Sequence, residues 1–278
     1  MNKFKIVADS SADILSLDKI NFESVPLKII TGDREFTDTP DLNVEEMVHC
    51  LAHHKGRSSS SCPNPDEWLK AFGDSEYVFC VPISANISGS SNSASIAKDM
   101  YEDKHPDRRV YVVNTLSAGP EMKLIVEKLC ELISEGKDFD TVCREIEEYT
   151  KKTGLLFLLE SVKNFANNGR INPIIAKGIG LLGIRLLGKA SDEGQLELLE
   201  KCRGADKAYD SILQQLRAHG CNGGKLRITH CFNETGAAKL RDKLLSEYPN
   251  ADISVYECRG LCSFYAEKHG MLIGYEKN

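Results

Sequence analysis

The sequence lacks a long hydrophobic run. Its most apolar stretch, residues 174–187, is interrupted by Lys177 and Arg185 and is too short to cross a bilayer. The amino terminus has no apolar segment of signal-peptide length. We therefore expect a cytoplasmic protein without a membrane span.

Basic residues are not in excess. The 278 residues include 35 Lys and Arg against 41 Asp and Glu, which gives a formal net charge of −6. A nucleic-acid-binding surface needs a basic face, because the phosphates of its partner are negatively charged. The balance therefore argues against a nucleic-acid partner.

Several catalytic and metal-binding motifs are also missing. There is no Gly-x-x-x-x-Gly-Lys-[Ser/Thr] loop and no Gly-x-Ser-x-Gly elbow, so a P-loop nucleotide site and a serine-hydrolase turn are not indicated. The ten cysteines form no matched Cys-x-x-Cys pairs, and the seven histidines show no ligand spacing. We expect no metal, and we expect reduced cysteines that serve as small core residues.

The order of predicted elements indicates an α/β protein. In the first half, strands near residues 4–8, 25–30, 77–83 and 109–113 are separated by helices near 43–54, after 64, after 90 and over 118–134. This alternation predicts a mostly parallel, Rossmann-like sheet covered on both faces. We assign residues 1–159 to this larger lobe, and residues 160–278 to a smaller α+β lobe that closes a pocket.

Two serine-rich segments, predicted as loops, are the strongest candidates for a ligand site. Residues 58–61 are four serines, and Ser88, Gly89 and Ser90 follow a buried strand and open a helix. Ligands collect beyond the carboxyl ends of parallel strands, where helix amino termini attract anions. Serines also commonly cap helices and fill turns, so each segment alone has that simpler interpretation. No cation flanks Ser88, which favours a carboxylate, although Arg57 before the first segment leaves phosphate open.

Three other features have competing interpretations. Residues 174–187 predict either a ligand slot or ordinary core. Arg170 follows a helix-ending glycine and is either an anion clamp or a cap for backbone carbonyls. Asp9 and Asp13 lie in the loop that follows the strand near residues 4–8, as the acids of some phosphotransferases do. The alternative function is therefore a phosphoryl- or acyl-transfer enzyme that uses Asp9, Asp13 and Ser88. Loop aspartates more often form local turns and caps.

Taken together in order and spacing, eight segments resemble the DegV family from about residue 5 to residue 276. They lie at residues 7–13, 25–29, 60–63, 83–89, 168–171, 182–185, 192–196 and 201–204. The resemblance implies a Rossmann-like lobe and a smaller α/β lobe with a lipid tunnel. It also implies a long-chain fatty acid ligand, such as palmitate or oleate, that some members present to a separate fatty-acid kinase.

The resemblance also implies roles for individual residues. The hydroxyl donors to the carboxylate fall on Ser60 and Ser88, beside Gly89, and Arg170 falls near the head group or the kinase-facing surface. Ser60 stands where threonine is usual, and Cys62 stands where glutamine is common. The carboxyl-terminal His-x-Gly-Pro-Gly segment is absent, and His269, which lies nearby at a different spacing, is assigned with Arg170 as a head-group or partner-facing residue. We therefore expect a lipid-binding protein without catalytic residues or cofactor.

Overall fold

The first half of the chain alternates strands and helices, as the sequence predicts. The computed structural model describes residues 3–171 and 183–278. In the first half the elements are β1 (Phe4–Asp9), β2 (Asn21–Val25), β3 (Lys28–Thr31), β4 (Arg34–Thr37), α1 (Val44–His53), β5 (Ser58–Ser61), α2 (Pro65–Phe72), β6 (Tyr77–Val81), α3 (Ser90–Lys104), β7 (Arg109–Val112), α4 (Pro120–Ser134) and α5 (Phe139–Thr150).

Four of these strands form a parallel sheet in the order β2-β1-β6-β7. One face packs on α2 and α3 around Trp68 and Phe72, and the other packs on α4 and α5 around Ile125 and Leu129. Both faces are therefore buried, which explains the continuous apolar runs of β1 and β6. The predicted parallel sheet with helices on both sides is confirmed.

The second half forms a larger, mixed sheet. Its elements are β8 (Thr153–Leu159), α6 (Lys163–Asn167), β9 (Ile184–Ala190), β10 (Leu196–Arg203), α7 (Ala205–Ala218), β11 (Cys221–His230), α8 (Glu234–Glu247), β12 (Asp252–Glu257), α9 (Gly260–Ala266) and β13 (Met271–Lys277). The strand order is β10-β9-β8-β13-β11-β12, antiparallel except for the β11-β12 pair. Strands β9 and β10 form an antiparallel hairpin.

Strand β8 belongs to this second sheet, where it lies between β9 and β13. A division of the chain by sheets therefore falls ahead of Thr153, whereas the sequence places the lobe boundary after residue 159. Helix α4 lies between the two large sheets and contacts strands of both. Arg227 of β11 reinforces this contact, because its guanidinium pairs with Glu127 of α4 at 2.8 Å.

Three local predictions differ from the structure. The serine segment 58–61 is not a loop: it is strand β5, which pairs with β3 in a three-stranded antiparallel sheet with β4. The predicted strand 25–30 is divided at Pro26, whose missing amide ends β2 before β3 joins that other sheet. Helix α5, which follows the Asp138 cap, was not predicted.

Most of the predicted apolar segment 174–187 lies outside the described residues, since only its last residues enter β9. None of the helices in the described ranges has the length and apolar character needed to cross a membrane.

Candidate ligand-binding site

A cavity of about 250 Å³ lies at the carboxyl ends of the parallel strands. Ser11 follows β1, Leu27 follows β2, Ile83 follows β6 and Ala118 follows β7, and all four line the cavity. The carboxyl edge of an open parallel sheet is where ligands are expected, because the loops there diverge and leave a crevice. The structure thus places the cavity where the sequence predicts a site.

The opposite wall is apolar and comes from the second half of the chain. Leu155, Phe157 and Leu159 of β8 line the cavity, while Leu156 and Leu158 pack into a core with α7 and α8. This alternation follows from the two-residue period of a strand. Further apolar lining residues are Phe165, Leu196, Leu261, Tyr265, Ala266 and Leu272.

Besides Ser11, polar lining groups come together from three further segments that are far apart in the sequence. Ser60 and Ser61 of β5, Ser88 before α3, and Arg170 after α6 all line the cavity. The Arg170 Nε donates to the carbonyl of Ile87 at 3.2 Å, so the guanidinium lies beside the Ser88 segment. Among the described lining residues, Arg170 alone carries a charge.

The position of Arg170 follows from how helix α6 ends. Gly169 has a φ of +70°, and its amide donates to the carbonyl of Ala166 at 3.2 Å. The amide of Arg170 donates to the carbonyl of Phe165 at 3.0 Å. This pair of bonds is a Schellman motif, which requires a left-handed residue such as glycine. The predicted helix-ending glycine is confirmed, and it turns the chain toward the cavity.

Ser88 and Gly89 mark the start of α3. The Ser88 Oγ accepts a hydrogen bond from the amide of Ser90 at 3.3 Å, and Gly89 is the residue before the helix. A Cβ on Gly89 would lie 3.1 Å from the sulfur of Cys62, so the glycine keeps these two segments in close contact. A helix amino terminus with free amides and a hydroxyl favours a negative charge.

Asp9 is fully buried beneath this segment and holds its framework together. Its carboxylate accepts from the amide of Ile83 at 2.8 Å and from the Ser90 hydroxyl at 2.6 Å, as well as from Ser11. Burial raises the pKa of Asp9, although these hydrogen bonds oppose the rise. Asp9 therefore joins β1, the end of β6 and α3, and it does not line the cavity.

Asp13 and Asp38 anchor helix α9, which forms part of the apolar wall. Asp38 accepts from the amides of Gly260 and Leu261, each at 2.9 Å, and Asp13 accepts from the amide of Arg259 at 2.8 Å. Burial raises the pKa of Asp13 to about 7, and the nearby Asp38 carboxylate contributes to that rise. Both carboxylates cap the amino terminus of α9.

His269 lies apart from the residues described above. It is exposed, follows α9, and is outside the lining of the cavity. Within residues 3–171 and 183–278, no group of three or more His, Cys, Asp and Glu side chains is arranged to hold a metal ion.

A second cavity, of about 290 Å³, lies behind Leu155 and is polar. Glu121 of α4 is buried there and accepts a hydrogen bond from the Thr153 hydroxyl at 2.7 Å and another from Ser117. Burial raises the pKa of Glu121 to about 7. Leu155 lines both cavities and separates them.

Tyr265 is a further polar residue of the cavity that sequence patterns do not indicate. Its hydroxyl lies 2.8 Å from the Ser60 Oγ, and its ring lines the cavity. No pattern around residue 265 distinguishes it from a core tyrosine, and only the packing of α9 against β3, the strand that pairs with β5, brings it to Ser60.

The chain is similar to several bacterial proteins. A DegV domain-containing protein of Streptococcus gordonii is 42% identical over 98% of this chain and 99% of its own length. A DegV family protein of Eubacterium eligens, solved with heptadecanoic acid, has a TM-score of 0.97 and 41% identity, covering 99% of this chain and 100% of its own.

The Streptococcus pneumoniae Fatty Acid Kinase (Fak) B3 protein, solved with linoleic acid, gives the same TM-score, identity and coverage. The DegV family profile, described as an uncharacterised protein family, matches residues 3–278. This match spans nearly the whole length, including both sheets and the cavity between them. The chain therefore belongs to the DegV family.

Proposed function

We propose that this protein binds one long-chain fatty acid, with its acyl chain along β8 and its carboxylate near Ser60, Ser88 and Arg170. The observation that supports this most directly is the composition of the cavity. Its wall is apolar along β8 and α9, and its hydroxyl and guanidinium groups gather where β5, the Ser88 segment and the Arg170 turn meet. A ligand that suits such a cavity has an apolar body and one anionic end.

The acyl chain supplies most of the affinity. Burial of a methylene group contributes about 0.8 kcal/mol, so a chain of roughly sixteen carbons gives on the order of 10 kcal/mol before entropic costs. Each hydrogen bond to the carboxylate adds about 1.5–3 kcal/mol. The apolar wall therefore governs affinity, and the polar groups determine which end of the ligand enters which part of the cavity.

Relatives support the same ligand class. The Eubacterium eligens protein was solved with heptadecanoic acid and the Streptococcus pneumoniae protein with linoleic acid, each at 41% identity to this chain. The second is named as a fatty acid kinase protein, and on that basis we propose that this chain presents its bound acid to a separate kinase.

A cytoplasmic location fits the ten cysteines, all of which are free thiols.

A binding role accounts for the acidic residues better than the enzyme alternative does. Asp9 is occupied by hydrogen bonds that join three backbone segments, and Asp13 caps α9. Neither carboxylate lines the cavity, so neither is placed to act on a ligand there. We therefore propose a protein that binds its ligand without transforming it.

Mass spectrometry of an organic extract tests the proposal directly. Purified protein should release fatty acid in near-stoichiometric amount, and stripped protein should take up palmitate or oleate. The proposal fails if the purified protein carries no lipid and the stripped protein takes up neither acid.

Variants then test where the carboxylate lies. Ser60→Ala and Ser88→Ala should each weaken palmitate binding roughly 10- to 100-fold, because each removes a hydroxyl donor to a charged group. Ser95→Ala is the matched control, since Ser95 is an exposed serine on α3 whose hydroxyl donates within the helix. Unchanged affinity in a Ser60 and Ser88 double variant would place the carboxylate elsewhere.

Arg170→Ala tests presentation to a kinase. We expect the variant to retain lipid and to lower acyl-phosphate formation by a partner kinase, because a guanidinium stabilises a doubly charged acyl phosphate more than a carboxylate. Melting temperature, lipid content and turnover should be measured on one preparation. Loss of lipid at an unchanged melting temperature would make Arg170 a direct ligand of the head group instead.

A further inference from the structure

Tyr265 is held rigidly at the edge of the cavity. Its ring stacks on Phe165 with centroids 4.6 Å apart, and the ring of Phe264 meets it edge-on at 4.8 Å. Helix α9, which carries it, is anchored at its start by two backbone amides that donate to the buried carboxylate of Asp38. The position of the Tyr265 hydroxyl is therefore determined by packing on both sides.

The hydroxyl of Tyr265 forms a hydrogen bond with the hydroxyl of Ser60 at 2.8 Å. Ser60 comes from β5 in the first half of the chain, whereas Tyr265 comes from α9 in the second half. The two residues are 205 positions apart in the sequence, and both line the cavity. The polar end of the cavity is thus built across the contact between the two halves.

A ligand carboxylate bound at Ser60 determines which of the two hydroxyls donates in the bond between Ser60 and Tyr265. An ionised carboxylate only accepts hydrogen bonds, so a hydroxyl that binds it must direct its proton toward it. When Ser60 donates to the ligand, its oxygen remains free to accept, and the phenol of Tyr265 is the donor at hand. Hydrogen bonds in such a chain strengthen one another, because each polarises the next.

We infer that Tyr265 is a positioning residue of the anion site: it donates to the Ser60 oxygen and thereby orients the Ser60 proton toward the ligand's carboxylate. This inference rests on the proposed fatty-acid binding and adds a residue to it. It also adds a second group from the second half of the chain, after Arg170, to recognition of the head group.

Binding of two ligands that share a tail tests the inference. Tyr265→Phe keeps the ring stacked on Phe165 and removes only the hydroxyl. We expect it to weaken palmitate binding roughly 10-fold and to leave the binding of hexadecanol within about two-fold, because the alcohol carries no charge that depends on an oriented donor. Tyr111→Phe is the matched control, since Tyr111 lies on β7 and packs against Phe79. It should change neither affinity.

A double-variant comparison tests whether Tyr265 acts through Ser60. In a Ser60→Ala background, Tyr265→Phe should lower palmitate affinity by less than about three-fold, since the oxygen that receives the phenol proton is gone. Equal losses for palmitate and hexadecanol would overturn the inference and make Tyr265 a packing residue. Full palmitate affinity in Tyr265→Phe would overturn it as well. If the wild type binds neither ligand, the proposed function itself fails.

Discussion

Glu121 makes a contribution to the pH dependence of stability that a single substitution can isolate. Its carboxyl group is buried in α4 between the two large sheets, and its pKa of about 7 in the folded protein lies above the ordinary value of 4.5. Between these values the folded protein keeps a proton that the unfolded chain has already lost. The free energy of unfolding therefore falls as the pH rises from 4.5 to 7, and it stays at the lower value above pH 7.

The size of the deficit follows from the two pKa values. The pKa of Glu121 is 4.5 in the unfolded chain and about 7 in the folded protein. This difference lowers the free energy of unfolding by about 3 kcal/mol, at about 1.4 kcal/mol per pH unit. Glu121→Gln carries no charge at any pH, so it should be more stable than the wild type by up to about 3 kcal/mol at pH 8. At pH 4.5 the two proteins should have nearly equal stability.

Thermal melting of lipid-stripped protein between pH 4.5 and pH 8 measures this difference. For a chain of this size, 3 kcal/mol corresponds to a shift of roughly 6–12 °C in melting temperature. Asp13 titrates over a similar range, but it does so in both proteins, and the difference between them isolates Glu121. Glu45→Gln, at an exposed position on α1, is the control and should follow the wild type. If Glu121→Gln keeps the pH profile of the wild type, the burial argument is wrong.

Three further substitutions test the framework of the site, each by melting temperature and lipid content. Gly194→Ala should lower the free energy of unfolding by at least about 2 kcal/mol, because the new Cβ would lie 2.4 Å from the Ser84 Oγ. Gly136→Ala is the control and should lower it by less, since Gly136 has a similar positive φ and no atom lies within 4 Å of the added Cβ. Asp9→Asn should cost about 2–4 kcal/mol and lower lipid content, since one amide oxygen cannot accept all the bonds that the carboxylate accepts; a stable variant with normal lipid content would contradict this. Arg227→Ala should cost about 1–2 kcal/mol, because the buried guanidinium loses its bonds to Glu127 of α4 and Asp252 of β12, whose carboxylates keep part of their contact with solvent. A change below about 0.5 kcal/mol would show that the ion pair does not join the two halves.

Local patterns were sufficient for most of the fold. Asn43 and Asn64 cap α1 and α2 as their sequences predict, and Asn64 forms a full capping box with Glu67. The helix predicted over residues 118–134 is α4, which spans residues 120–134. These elements depend on interactions within a few residues, which a single sequence contains.

Elements that depend on distant partners were the ones missed. Four consecutive serines have low intrinsic strand preference, and β5 exists because residues 58–61 pair with β3. The division at Pro26 is similar, since β2 and β3 join different sheets on either side of it. Pairing across a sheet is not visible in local composition, so the sequence favoured a loop in one case and a single strand in the other.

The site was predicted in part for the same reason. Ser60, Ser88, Gly89 and Arg170 all line one cavity, as the serine segments and the resemblance to the family suggest. Tyr265 was missed because its contact with Ser60 spans most of the chain. The roles of these residues toward a ligand stay predictions until the variants above are measured.

Side chains alternate between the two faces of β8, so substitutions on one face affect the cavity and substitutions on the other affect the core. Leu155, Phe157 and Leu159 face the cavity, whereas Leu156 and Leu158 hold the core under α7 and α8. Substitutions at the odd-numbered positions reshape the cavity while the other face of the strand keeps its packing. Ligand preference can therefore diverge among relatives through single substitutions on one face of one strand.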